Sequence, residues 1–210
     1  KSKLLKNIDW ADELAIKTLS YSKNRLIEAR GLSITYEGTT VFEDVSFEVN
    51  RGDRVALSGK NGCGKSSILK AILGEKICHT GDLIIGTHLE YSYVSQNTSF
   101  LAGSLRNYIR ENSLDESLLK TILRKLGFSR EQFDKRLEDY SSGQKKKVLL
   151  AASLCKPAHL YIWDEPLNFI DVLSRIQIEH LICQYQPTML FVEHDRMFME
   201  NVATKVVALR

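Results

Sequence analysis

The sequence is poor in cysteine. It has four, Cys63, Cys78, Cys155 and Cys183, and no two form a CxxC pair. That excludes a zinc ribbon and a disulfide framework, and fits reduced thiols in a cytoplasmic protein. Cys155 and His159 have one metal-like spacing, but no second pair joins them, so a metal site there is not expected. Long apolar runs are also missing: none approaches the ~18 residues a transmembrane helix needs. No signal-peptide pattern is present, and the chain starts at Lys1 rather than methionine. The expectation is a soluble piece of something longer. Charge imbalance is slight, at +3, too weak to argue for nucleic acid. There is no internal repeat and no low-complexity segment. What remains is ordinary globular composition, 43% hydrophobic and 26% charged over 210 residues, enough for one domain with a subdomain.

Residues 1–12, "KSKLLKNIDWAD", are charged and loosely amphipathic, like the end of a linker. Strand patterns follow in "LIEARGLSITY" (26–36) and "VFEDVSFEV" (41–49), the second placing Val41, Val45, Phe47 and Val49 on one face. "DRVALSG" (53–59) reads as a short buried strand and "KSSILKAIL" (65–73) as the helix after it. Two more strands are expected at 82–86 and 89–96. Over 104–138 the apolar spacing turns helical, which predicts a small inserted helical subdomain. Thereafter strands at 159–165, 188–193 and 205–209 alternate with helices. That alternation predicts a mostly parallel sheet flanked by helices.

"GKNGCGKSS" (59–67) fits G-x-x-x-x-G-K-[ST] through Gly59, Gly64, Lys65 and Ser66. Glycines let a backbone wrap closely around phosphate oxygens, and the N–H groups of the following helix face the anion. Lys65 is expected to reach the β- and γ-phosphates, and the Ser66 hydroxyl to coordinate Mg²⁺. The strand before the motif and the helix after it are the context this chemistry requires. Downstream, the apolar strand Leu160 to Trp163 runs into Asp164 and Glu165, which places both carboxylates at the sheet's C-terminal edge. Asp164 suits the Mg²⁺ shell; Glu165 suits orienting an attacking water, though adjacent acids can also simply cap the next segment. Gln96 ends a strand with a side chain able to touch both metal and water, and His194 follows the apolar strand "TMLFV". Each alone reads as structural; their order after a phosphate loop raises them.

"YSSGQKKK" (140–147) precedes the apolar run "VLLAASLC". It reads as a serine-capped helix start with free N–H groups, a natural anion site. Lys145, Lys146 and Lys147 point in different directions around such a helix and read as a solvated face.

In order, the chain shows a phosphate loop, a glutamine, a serine-glycine-glutamine loop, Asp-Glu and a histidine. This resembles the ATP-binding-cassette (ABC) ATPases from about Leu26 to Arg210. "YSSGQ" stands where that family has LSGGQ, with Tyr140 for leucine and Ser142 for glycine. The resemblance implies an α/β cassette over 13–210: a mostly parallel sheet core, an antiparallel β part, and a helical subdomain at about 100–150. It implies ATP and Mg²⁺ as ligands. Tyr36 would stack adenine, Asn61, Gly62, Cys63 and Ser67 would join the phosphate loop, and Ser66, Gln96 and Asp164 would hold the metal. Glu165, His194 and Gln96 would be catalytic. Ser141, Ser142, Gly143, Gln144 and the D-loop residue Asp171 would contact a nucleotide held by a second cassette, in the same full-length chain or a homodimer. "DEPLNFID" (164–171), with Asn168, is closer to the soluble ABC-F group than to transport ATPases. "YIWDEPLNFID", "GQKKKV" and "FVEHD" look most like its Vga/Lsa-like antibiotic-resistance branch, which implies the ribosome as a partner. Two rival expectations stand beside it: the ATPase subunit of a membrane transporter, and a cassette that binds ATP without hydrolysing it.

Overall fold

The computed structural model describes residues 16–36 and 39–209; the linker reading of residues 1–12 lies outside them. Two sheets organise the chain. The first is antiparallel, in the order β2-β1-β4, from β1 (Arg25–Tyr36), β2 (Thr39–Asn50) and β4 (His79–Ile85). The second is wholly parallel, in the order β5-β6-β7-β3-β8. Its strands are β3 (Arg54–Ser58), β5 (Tyr91–Val94), β6 (Leu160–Asp164), β7 (Met189–Val192) and β8 (Lys205–Ala208). A mostly parallel core with an antiparallel part is thus what forms.

The inner strands β6, β7 and β3 of the parallel sheet are buried on both faces, which explains why they read as continuous apolar runs. Along β6 and β7, Tyr161, Trp163, Met189 and Phe191 enter one core with the helices α3 (Glu116–Lys125), α4 (Ser142–Cys155) and α5 (Val172–Tyr185). The alternate residues Leu160, Ile162, Leu190 and Val192 enter a second core with the antiparallel sheet and α1 (Lys65–Ile72). Inside the first core a polar chain is satisfied: the Trp163 indole donates to Ser153 Oγ at 2.9 Å, and the Ser153 and Ser92 hydroxyls bond at 2.7 Å.

The segment read as helical over 104–138 holds α2 (Leu105–Glu111), α3 and two short 3₁₀ turns, Arg130–Asp134 and Leu137–Asp139. In β2 the expected face is corrected. Val45, Phe47 and Val49 are buried as read, but beyond them Phe42 is buried and Val41 only half-buried. The register between Leu32↔Val45 and Ile34↔Phe42 carries an extra residue in β2, and Asp44 there has φ 51°. Such a bulge shifts the alternation by one and turns Val41 outward. The last helix is α6 (Arg196–Val202).

Candidate functional site: a phosphate cleft at the sheet edge

The strand order sets the site. The chain leaves β3 through the glycine loop and α1 and next enters the parallel sheet at the far edge strand β5, with β6 and β7 between. Ligands of open α/β sheets bind beyond the C-terminal strand ends where such a reversal occurs. There lies a cleft of about 460 Å³, lined by Val41, Asn61, Gly62, Gly64, Lys65, Ser66, Ser67, Gln96 and Glu165.

Gly64 has φ 87°, and a Cβ there would lie 2.6 Å from a ring carbon of Phe42 and 2.8 Å from a methyl of Val41, so the loop can press on β2 only as glycine. Gly64 is also the N-cap of α1, with no side-chain cap. The other α-helices are capped by Ser104, Asp115, Ser141, Asp171 and Asp195. The first N–H groups of α1 are therefore left for an anion. Lys65, 5% exposed, donates to the carbonyls of Gly59 (2.9 Å) and Lys60 (2.8 Å), lying across the loop. Cys63 is half-buried, its sulfur 3.9 Å from the Lys65 ammonium.

The acidic side is built by β6. The Ser66 hydroxyl donates to Asp164 Oδ1 at 3.1 Å. Burial raises the Asp164 carboxyl above its ordinary value, against the Ser66 hydrogen bond and the Lys146 and Lys70 charges that lower it. The Ser66 hydroxyl and the Asp164 carboxyl, bonded to each other, are oxygen donors that suit Mg²⁺, whose charge would offset the burial of that carboxyl. Glu165 adopts φ 46°, uncommon for a side-chain-bearing residue, and its N–H is fixed to Val192 O of β7 at 3.0 Å. Its carboxylate accepts from Gln96 Nε2 (2.8 Å) and Asn168 Nδ2 (2.6 Å), and His194 Nε2 stands 3.6 Å away. Gln96, two residues past β5, and His194, two past β7, thus meet at Glu165. Asn168 joins them, although the sequence reading used it only as a subgroup marker. Its signal was local: an asparagine three residues after the acid can fold back on it.

The serine-glycine-glutamine loop lies elsewhere. Ser141 caps α4 in a reciprocal box: Gln144 N–H donates to Ser141 Oγ at 3.2 Å, and Ser141 N–H to Gln144 Oε1 at 2.9 Å. Ser142 is exposed. None of these residues lines the cleft of its own chain. Gly143 faces the carbonyl of Phe169, where a Cβ would come within 2.4 Å. Asp171 caps α5 through Ser174 N–H (2.9 Å) and pairs with Lys147 at 2.6 Å; despite partial burial, these partners hold its carboxyl at about 2. The solvated face expected of the lysines is corrected. Lys146 is 1% exposed and Lys147 is tied to Asp171 and Leu126 O, because α4 enters the core within its first two turns. Tyr36 is the last residue of β1, opposite Thr39; its ring lies outside the described part. His159 is accounted for within the fold, since its Nδ1 accepts from Glu90 N–H at 3.0 Å.

The family model described as "ABC transporter" matches residues 42–168. The chain is 30% identical over 205 residues to the ATP-binding protein Uup of Caulobacter vibrioides, covering 93% of this chain and 34% of that protein. It is 32% identical over 201 residues to Escherichia coli Uup (92% and 32%), and 28% identical over 196 residues to "ABC transporter F family member 2" of Arabidopsis thaliana (90% and 29%). The chain spans about a third of the length of these curated relatives. A solved structure described as the ATP-binding subunit of an ABC transporter superposes with a TM-score of 0.71 at 28% identity, covering 88% of this chain and 86% of that one. Among the described residues no helix is long and apolar enough to cross a membrane. The cleft, the order of its residues and the matched segment agree: the chain is an ATP-binding cassette of the ABC transporter family, whose cassettes hydrolyse ATP.

Proposed function

We propose that the chain is an ATP-hydrolysing cassette of an ABC-F protein acting on the ribosome, in the manner of the Vga/Lsa-like resistance proteins, within a cytoplasmic protein carrying a second cassette. The single observation that carries the hydrolytic part is the convergence of Gln96, Asn168 and His194 on Glu165 at the rim of the phosphate cleft. Gly59 to Ser66 and Ser67 bind the phosphates and Tyr36 stacks the adenine. Ser66, Asp164 and Gln96 are the residues to hold Mg²⁺, which neutralises charge on the phosphates. Glu165 accepts a hydrogen bond from water and aims it at the γ-phosphorus. The bond to the bridging oxygen breaks, and ADP and phosphate leave. His194 steadies the water and the γ-phosphate. Ser141 to Gln144 and Asp171 serve the nucleotide of the opposite cassette.

Support for the ribosomal part comes from "DEPLNFID" and from relatives that carry the ABC-F name. In a Glu165→Gln variant, ATP affinity should stay within a few-fold while phosphate release falls about 10²-fold or more. In the full-length protein that variant should co-sediment with ribosomes only when ATP is present. ATP-independent co-sedimentation, or none, would remove the ribosomal reading. Unchanged phosphate release would remove Glu165 from its role. A second reading, the ATPase subunit of a membrane transporter, is favoured by the likeness to such a subunit. It predicts ATP-dependent association with a membrane protein instead.

A further inference from the structure

Lys146, on α4, is the most deeply buried charged side chain among the described residues, 1% exposed. Its ammonium donates to the carbonyl of Ser95 at 2.9 Å and reaches that of Asp164 at 3.5 Å. Those carbonyls belong to the residues just before Gln96 and Glu165, the two side chains hydrogen-bonded to each other at the cleft. One cation therefore ties three elements at a point: α4, the segment leaving β5, and the end of β6. Burial disfavours its charge, and the carboxylates of Asp164, Glu165 and Glu193 oppose that effect. Packing gives no reason for a lysine here, since an apolar chain of the same length fills the space without desolvating a charge. What the cation does there is hold two carbonyls, those preceding Gln96 and Glu165.

We propose that Lys146 is a positioning residue for hydrolysis: by binding the carbonyls of Ser95 and Asp164 it sets Gln96 against Glu165 and links that pair to α4. The inference rests on the ATPase reading above. Helix α4 begins at the serine-glycine-glutamine loop, so Lys146 lies within about a turn and a half of the residues assigned to the opposite nucleotide. It acts through Gln96 and Glu165 and touches neither nucleotide nor water.

The test uses Lys146→Met, which keeps length and apolar stem and removes the cation. ATP binding is read by fluorescent ATP analogue titration, turnover by phosphate release from paired cassettes in the full-length protein, and folding by Tm. The expected result is a protein that still folds, with Tm lowered by no more than a few degrees for the unpaired Ser95 carbonyl, analogue affinity and KM for ATP within threefold of wild type, and kcat reduced at least tenfold. Gln96→Ala, costly alone, should cost no more than about twofold further in the Lys146→Met background. Wild-type kcat in a folded Lys146→Met protein, or losses that simply multiply in the double variant, would overturn the proposal. Should Lys146→Met fail to fold, Lys146→Arg decides: it keeps the cation and its donors and should retain turnover within tenfold of wild type. A folded Arg variant with turnover abolished at unchanged affinity would also overturn it. Glu165→Gln separates the two readings. If it leaves phosphate release intact, the ATPase reading fails; if it abolishes release while Lys146→Met does not, only the role of Lys146 fails.

Discussion

Glu193 ends the buried run of β7 beside His194 and is 5% exposed. Burial, chiefly, pushes its carboxyl up to about 7; the neighbouring Asp195 and Glu165 add to this, while His194 N–H and the Arg175 guanidinium oppose it. In the unfolded chain the group titrates near 4.5. The folded state thus binds the proton more tightly. The stability this contributes is complete below the unfolded value and is lost as pH rises through about 7. Glu193→Gln removes the dependence. Relative to wild type it should gain stability between pH 5 and pH 8 by on the order of 3 kcal/mol, measured by urea denaturation at both pH values. An equal difference at the two pH values would contradict it. Neither Glu193 nor Lys146 was legible as a buried group, because a charged letter in an apolar pattern reads as surface. Asp164, Glu165, Gln96 and His194 could be placed, because each stands at the end of an apolar strand, and parallel strands bring their C-terminal ends to one edge.

At the scale of elements, the start of α4 and the segment leading into α5 are locked together. Gly143 sits against Phe169 O, and Lys147 bridges to Asp171. Two effects compete in Gly143→Ala. Alanine is the better helix former by up to ~1 kcal/mol. Against that, its Cβ would lie 2.4 Å from a backbone oxygen, which no side-chain rotation relieves. Overpacking of this kind costs about 1–3 kcal/mol, so the clash wins and the variant should be less stable than wild type. Ser142→Ala is the control: Ser142 is exposed, and its change should fall within about 0.5 kcal/mol. A stabilised Gly143→Ala protein in chemical denaturation would mean that Phe169 can yield. The helix itself was legible from "YSSGQKKK", since a serine followed three residues later by glutamine is a capping signal. Its contact with Phe169 was not, because nothing local marks which glycine meets a backbone 26 residues further on. The β2 bulge was hidden for a related reason. One inserted residue changes the face of Val41 and Phe42 without changing composition.

At the scale of the molecule, the described residues hold a phosphate cleft and a serine-glycine-glutamine helix start, and the second does not line the first. Lys65, Ser66, Gln96 and Glu165 line one side of that cleft; ABC cassettes work in pairs, and under the proposed function a second cassette would supply the opposite side. The surface beside α5 has the character of such a contact: Phe169, Val172 and Leu173 are 77%, 67% and 50% exposed, next to the Asp171 cap. Adjacent apolar side chains left this open are what a docking surface between cassettes would present. Turnover by this chain alone should therefore depend on pairing. Phosphate release per chain should be near zero at high dilution and rise with protein concentration. With ATP and Glu165→Gln, where pairing is not undone by hydrolysis, sedimentation velocity should show a dimer that disperses when ATP is removed. Replacing Phe169 and Leu173 by serine should raise the concentration needed for half-maximal turnover while leaving ATP affinity of the dilute chain unchanged. Both residues are exposed and neither lines the cleft. If phosphate release per chain were the same at nanomolar and micromolar protein, each cleft would be complete by itself, and the serine-glycine-glutamine loop would have no nucleotide to meet.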